Sequence, residues 1–544
     1  MSETTIYRAR RIVTLNPDCP EATHVAVRDG RILAVGERAD VEQWGPFTLD
    51  ERFADSVLTP GFVEGHAHAL EGVVWGGLHY VGYFSRHAPD GRIHEGLKSI
   101  DQVVERLQAI EAEMTDPDAP LLAWGFDPIY FDGARMTRED LDRVSTTRPI
   151  LVVHASFHLL NVNSEVLRRA NVTRDTQVEG ILRGADGEPN GELQEMAAKF
   201  MAFRAVGRNP FSDALQPDDV RRYGNAARLA GATTVADLLN TLDEEALGNY
   251  ETATSEPDFP ARMVPAMGAW LWEQDAGLQR IREIRSRGND KLHLGIVKIM
   301  TDGSIQGFTG RLKWPGYFNG APNGMWNAPP AEIKRMMRLY HDAGCQLHIH
   351  TNGDQASELA IDAIEEALEA TPRFDHRHTL QHCQMADAAQ FRRMKKLGIC
   401  ANLFANHLFY WGDQHYALTM GPDRARRMDA CRTALREGVP LAIHSDAPIT
   451  PLGPLFTAWC AVNRRTASGR VLGEEERITA DEALYAITLG AAYTLRMDHL
   501  VGSIEVGKYA DFTALADDPR TVAPDAIRDI QIRGTVCGGR PFIN

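Results

Sequence analysis

The sequence predicts an α/β protein: a (β/α)8 TIM barrel with a small composite β-sandwich domain made from both termini and an inserted α/β subdomain. Three observations predict it. Short apolar runs alternate with longer amphipathic ones through the middle of the chain, regularly enough to count from residue 290 onward. The count yields eight strand candidates, the number that closes a parallel barrel rather than an open doubly wound sheet. Strand-like alternation with tight-turn signals stands at both ends of the chain. At about 100–200 residues per domain, 544 residues call for two or three domains.

In chain order, residues 6–15 alternate as a strand, and 24–27 and 31–35 follow, joined by Asp29-Gly30, a two-residue hairpin signal. Similar material returns at 511–515 and 530–536, after the turn-rich run 501–508 and before Gly538-Gly539. The two ends therefore read as one composite β domain, 1–58 with 490–544. The barrel takes 59–489, with strands at 57–63, 233–238, 261–267, 292–300, 346–351, 379–383, 399–404 and 440–445. Helical patterns at 331–343, 355–370, 387–397 and 424–437 separate the later strands, and Gly344, Gly398 and Gly438 stop three of them. Roughly 170 residues part the first two strands, far more than a βα connection. The stretch 75–225 is accordingly an insertion, with apolar runs at 121–126 and 150–153 and a turn from Asp186 to Gly191.

Composition removes several function classes. A 44% hydrophobic, 24% charged chain with nine Trp, 20 Phe and 13 Tyr fills a large core and is not a disordered or fibrous polymer. A net charge of −16 without any long Lys/Arg block argues against nucleic acid or an anionic membrane as partner. No secretory leader and no membrane-length apolar run can be read, so the expected location is cytoplasmic. Seven scattered cysteines, Cys19, Cys345, Cys383, Cys400, Cys431, Cys460 and Cys537, form neither a disulfide scaffold nor a zinc-finger or redox pair and read as buried apolar residues.

The chemistry-bearing residues gather at strand ends. His66 and His68 follow the first barrel strand one residue apart, so both imidazoles can face one ion. Alone, the pair is weak among 19 histidines. Lys298, His350, His382 and Asp446 stand near the carboxyl ends of later strands, at separations of 52, 32 and 64 residues that match one, one and two βα units. Barrel enzymes place their active sites on that rim.

These motifs resemble the amidohydrolase superfamily, and more closely its YtcJ-like branch (amidohydrolase family 3), which includes N-substituted formamide deformylases. The resemblance spans nearly the whole chain: Pro60-Gly-Phe-Val-Glu-Gly-His-Ala-His68, His158 with Asn163-Ser164, the turn ending at Gly191 with Glu195, Gly231-Ala-Thr-Thr-Val235, Lys298 with Asp302-Gly303, His350 with Gly353-Asp354, Ser445-Asp446, and 501–511. His444, Thr351-Asn352, Asn402 and His407 depart from the family pattern, and the expectation is that they alter substrate choice rather than the metal site.

The resemblance implies two divalent metal ions, with zinc the first expectation and manganese, iron or cobalt also suited to the donors. His66, His68 and Asp446 would hold one, and His350 and His382 the other. Lys298 would bridge them as a carbamate formed with carbon dioxide, which needs the neutral amine that burial and nearby positive charge favour. The alternative is an unmodified Lys298 paired with a carboxylate such as Asp302, beside a single metal. Asp446 would serve as catalytic acid and base, taking a proton from the attacking water and returning it to the departing nitrogen. Its bland alternative is a helix cap.

His158, Asp302, Arg311, His407 and Trp411 are the substrate-contact candidates. His158 could reach over the barrel mouth, Arg311 could bind a carboxylate, and the aromatic run 404–411 would face the site from a loop and suit an apolar or aryl group. His348 and His444 share strand faces with His350 and Asp446 and read as buried core histidines or supports of the ligands. The expected activity is metal-dependent hydrolysis of a linear carbon–nitrogen bond in a small amide or N-substituted formamide. The alternatives are a cyclic-amide hydrolase or heterocycle deaminase, and a non-catalytic metal-binding or regulatory protein on the same scaffold. The expected assembly is a homodimer.

Overall fold

The computed structural model describes residues 3–131, 134–209 and 215–544. Both termini enter one sheet. Thr4–Val13, Glu21–Arg28, Arg31–Gly36, Phe47–Asp50 and Val57–Pro60 come from the front of the chain, and Phe512–Leu515, Ile532–Cys537 and Arg540–Ile543 from the end. The seam is Val57–Pro60, parallel to Thr4–Val13 on one side and antiparallel to Phe512–Leu515 on the other. Asp29-Gly30 and Gly538-Gly539 each take two positive φ values between paired strands, the geometry of tight hairpin turns. Tyr7, Ile12, Val25, Leu58, Phe512 and Val536 fill the core of this sheet.

Eight parallel strands build the barrel: β1 (Phe62–Glu64), β2 (Ala232–Asn240), β3 (Arg262–Gly268), β4 (Ile296–Met300), β5 (Gln346–Thr351), β6 (Thr379–His382), β7 (Cys400–Leu403) and β8 (Leu441–Ile443), neighbours in chain order. The run expected as one strand at 57–63 divides at Gly61, its first part in the terminal sheet and its second opening the barrel. A Cβ at Gly61 would lie 2.0 Å from Thr233 Oγ1, so β1 and β2 can start side by side only around a glycine. β4 begins at Ile296 rather than 292, because Gly295 (φ +122°) breaks the extended run ahead of it.

No ladder among the described residues joins β8 to β1. At the rim, Asp446 N–H donates to His66 O (3.1 Å) and His68 N–H to Ala447 O (2.7 Å). Below, the segment carrying helix Leu489–Thr494 fills the seam: Val63 N–H donates to Ile487 O, and Ala491 and Ala492 share a core with Val63, Ala236 and Ala442. The boundary expected at 490 is therefore displaced. Residues 490–511 leave the barrel only after closing it, and the returning β segment starts at Phe512.

The insertion forms a six-stranded mixed sheet in the order Ile181–Arg183, Pro189–Gln194, Leu159–Val162, Ile150–His154, Leu121–Phe126, His79–Tyr80. Alternate residues serve different cores. Leu121 and Ala123 pack with Val103 and Leu107 of helix Ile100–Glu113, while Leu122 and Trp124 pack with Leu70, Phe404, Trp411 and Ile449 of the barrel mouth. The insertion is thus docked on the rim by an apolar face. It ends earlier than 225, because helix Pro217–Leu229 buries Val220, Tyr223 and Ala227 in the barrel core. The helix expected at 424–437 is two pieces, Gly421–Ala425 and Cys431–Arg436. Between them the fully buried Arg464 guanidinium takes the carbonyls of Arg426, Met428 and Asp429. Among the described residues no helix is long and apolar enough to cross a membrane.

Candidate metal centre

His66, His68, Lys298, His350, His382 and Asp446 line one cavity at the carboxyl ends of the barrel strands. His66 and His68 follow β1, Lys298 lies in β4, His350 in β5, His382 ends β6 and Asp446 follows β8. Two of these positions are strained: His382 has φ +69° and Asp446 φ +56°, left-handed conformations that cost non-glycine residues on the order of 1–3 kcal/mol and gather where side chains must be aimed.

The donors form two close sets. Asp446 Oδ1 lies 3.3 Å from His66 Nε2 and 3.2 Å from His68 Nε2, and His350 Nδ1 lies 3.0 Å from His382 Nε2. Lys298 Nζ is 3.5 Å from His66 Nε2. Ligands about 2.05 Å from a tetrahedral zinc ion stand about 3.3 Å apart, so both spacings suit donors that share a cation. Burial, with Lys298 adding for His66 and His158 for His350, holds the His66, His350 and His382 pKa values well below the ordinary range, which leaves neutral imidazoles with lone pairs to offer. Burial pushes the Asp446 carboxyl up, but His66, His68 and His382 outweigh it and keep the group ionised, well below the usual carboxylate range. Asp446 Oδ1 and His382 Nδ1 are buried without a hydrogen-bond partner among the described residues. A buried carboxylate oxygen set between two imidazole nitrogens fits a divalent ion.

Lys298 is buried in β4, and burial lowers its pKa to about 7, partly opposed by Asp446. No carboxylate forms an ion pair with it among the described residues. Asp302 is engaged elsewhere: its oxygens accept the backbone N–H groups of Arg311 (2.9 Å), Asn352 (3.0 Å) and Gly353 (2.9 Å).

The insertion supplies the facing wall. His158 Nδ1 meets Glu195 Oε2 at 2.9 Å, and the His158 ring centre is 5.4 Å from that of His350. Glu195, at φ +57°, opens helix Glu195–Val206; its N–H donates to His158 O (2.8 Å), so the two segments fix each other. Lys199, one turn on, donates to Phe157 O. Leu70, Met196, Leu238, Leu239, Trp270 and Ile449 complete an apolar lining.

Four expected substrate contacts are corrected. Asp302 caps three backbone N–H groups as above, and Arg311 donates to Gly324 O and Gln355 Oε1 outside the cavity. The segment expected as a loop after β7 is helix Asn406–Gln414. Within it His407 bonds Gln306 and His415, and Trp411 donates Nε1–H to Asp127 in the core shared with the insertion. Neither lines the cavity. The aromatic run packs because the insertion lies over it, which no local pattern reveals.

Sequence reasoning does not single out Glu195, Lys199 or Trp270 as cavity residues. Glu195 and Lys199 stand at i and i+4, a spacing usually found on a solvated helix face. Three departures from the family pattern also lie against the ligands rather than the substrate wall. His444 stacks on His66 at 4.6 Å, Asn352 Nδ2 lies 3.1 Å from His350 Nε2, and Asn402 donates to Gln381, the partner of His66.

The amidohydrolase family profile matches residues 54–543. The putative amidohydrolase YtcJ of Bacillus subtilis (strain 168) is 26% identical, the alignment covering 98% of this chain and 98% of that protein. N-substituted formamide deformylase of Arthrobacter pascens is 26% identical over 97% of this chain and 96% of its own. Among solved structures, an uncharacterized metal-dependent hydrolase from Pyrococcus horikoshii OT3 superposes with a TM-score of 0.71 at 18% identity, covering 96% of this chain and 99% of that one.

Proposed function

The chain belongs to the amidohydrolase family, and from that premise we propose that it is a metal-dependent hydrolase of a linear carbon–nitrogen bond, an amide or N-substituted formamide, yielding an amine and a carboxylic acid. The observation that carries the reading is the convergence of six donors from five strands on one cavity, with the Asp446 carboxylate held ionised beside His66, His68 and His382. The full-length likeness to a formamide deformylase supports the bond type.

His66, His68 and Asp446 would hold one divalent ion, and His350 and His382 a second. Bound there, such ions polarise a carbonyl and lower the pKa of water. The amine of Lys298, deprotonated at its nitrogen, attacks carbon dioxide and releases one proton, forming a carbamate that adds an anionic donor beside His66. Asp446 accepts the proton of the attacking water and delivers it to the nitrogen as the carbon–nitrogen bond breaks. His158, anchored by Glu195, orients the substrate from the insertion side, and the apolar wall excludes water from the reacting carbonyl. The apolar lining suits a small acyl or aryl group.

The test is a screen of purified, zinc-, manganese- or cobalt-reconstituted protein against formamides, acetamides, anilides and amino-acid amides, with released amine as readout. Turnover of a linear amide that disappears on chelation is the expected result. Turnover of cyclic amides or heterocycles alone would replace the bond assignment, and inertness of a metal-loaded protein toward every class would reject the enzyme.

A further inference from the structure

His66 can present Nε2 to a cation only as the tautomer whose proton sits on Nδ1, because a neutral imidazole has one N–H and one lone pair. Its Nδ1 faces Gln381 Oε1 at 2.7 Å. Gln381 is an amide, however, and a flipped amide would aim N–H at His66 and force the proton onto the ligating nitrogen. What prevents the flip lies further from the site. Gln381 Nε2 is 2.7 Å from His348 Nδ1, and His348 Nε2 is 3.0 Å from the carbonyl of Thr494.

The carbonyl is the one member of this chain that can only accept. It therefore requires His348 to donate from Nε2, which leaves Nδ1 as acceptor. Gln381 must then donate from Nε2 and turn Oε1 toward His66, which must donate from Nδ1. Asn402 Nδ2 donates to the same Oε1 at 2.9 Å, in keeping with that orientation. Gln381, His348, Asn402 and Thr494 are all inaccessible to solvent, so water cannot scramble these roles. Thr494 is the last residue of the helix that fills the seam between β8 and β1, where an end carbonyl has no partner within its own helix.

We propose that Thr494 O, His348 and Gln381 form a directional hydrogen-bond relay that sets the tautomer of His66 and thereby positions its Nε2 for metal binding. Gln381 and His348 are positioning residues. The inference rests on the metal-site reading above and adds a cause for the ligand's protonation pattern, traced to the segment that closes the barrel.

The test compares Gln381→Met, Gln381→Glu and His348→Phe with the wild type by zinc competition against a chromophoric chelator and by the d–d spectrum of the cobalt(II) form. Thermal unfolding of each metal-free variant runs alongside. Loss of such an outer partner typically weakens a metal about 10–100-fold. Gln381→Met should show that loss and an altered cobalt spectrum. Gln381→Glu keeps an acceptor for His66 Nδ1–H and should bind within a few-fold of wild type. If Gln381→Met does not fold, the contrast between His348→Phe, expected weaker, and Gln381→Glu carries the same test. Equal affinity in all variants, or losses in Met and Glu variants that simply follow their thermal stability, would overturn the relay. A wild type that binds no divalent metal would overturn the proposed function in the same titration.

Discussion

Asp446 is the residue on which the proposed ligation and the proposed proton transfer meet. Its left-handed backbone aims Oδ1 between His66 and His68, and Oδ2 lies 3.7 Å from His382 Nδ1. Asp446→Asn should lower turnover by about two orders of magnitude or more, the scale of an acid/base group; kinetics on protein of measured metal content checks this, and near-normal turnover at full loading would reject the role. Lys298 offers a second test. Its amine is fully protonated well below pH 7 and free well above it, given a pKa lowered to about 7 by burial. Carbon-13 bicarbonate labelling should therefore grow as pH rises through 7, with native mass showing one added carbon dioxide. An unmodified amine at pH 8 beside bound metal would exclude the carbamate. At this scale the sequence was informative wherever chemistry follows residue type and strand position, as for His66, His68 and His350. It misplaced Asp302 and Arg311, because whether a polar side chain faces a cavity or a backbone N–H depends on a loop whose path has no periodicity.

Between elements, the loop after β4 grips the insertion. A Cβ on Gly303 would fall 2.4 Å from Glu195 Oε1 and 2.1 Å from Thr309 Oγ1, so the Glu195 carboxylate sits against bare backbone. The contact ties helix Glu195–Val206 to the barrel and keeps His158 opposite His350. Gly303→Ala should cost about 1–3 kcal/mol, as overpacking does, and should raise KM more than it lowers kcat, because Glu195 is displaced while the metal donors stay. Urea unfolding and steady-state kinetics check both halves; unchanged stability and KM would show that the neighbours absorb the methyl. Strand and helix existence was legible from period and caps, as at Asp387 and Gly398 around helix Ala388–Leu397. The split of the helix expected at 424–437 was not, because its cause is Arg464, which arrives from a later element to claim the carbonyls.

Across the whole molecule, the terminal sheet and the barrel are joined by a buried ion pair. Arg262 at the start of β3 meets Asp511 at 2.7 and 2.9 Å, and both side chains are 2% exposed. Arg262→Ala leaves a buried carboxylate unpaired and should destabilise by about 3–5 kcal/mol, whereas Arg262→Met with Asp511→Leu should recover most of that loss. Denaturant unfolding decides, and equal loss in the single and double variants would refute it. By itself the sequence determined the eight βα strands, the pairing of the two chain ends in one β domain, and the residue types at the strand ends, because side-chain period and turn chemistry are local. Only the tertiary structure decided how the barrel closes through 66–68, 445–447 and helix Leu489–Thr494, which aromatic residues lie under the insertion, and which side chain faces Nδ1 of His66. Those outcomes depend on partners such as Gln381, 315 residues from His66, whose meeting is set by packing and by the obligation of buried polar groups to pair.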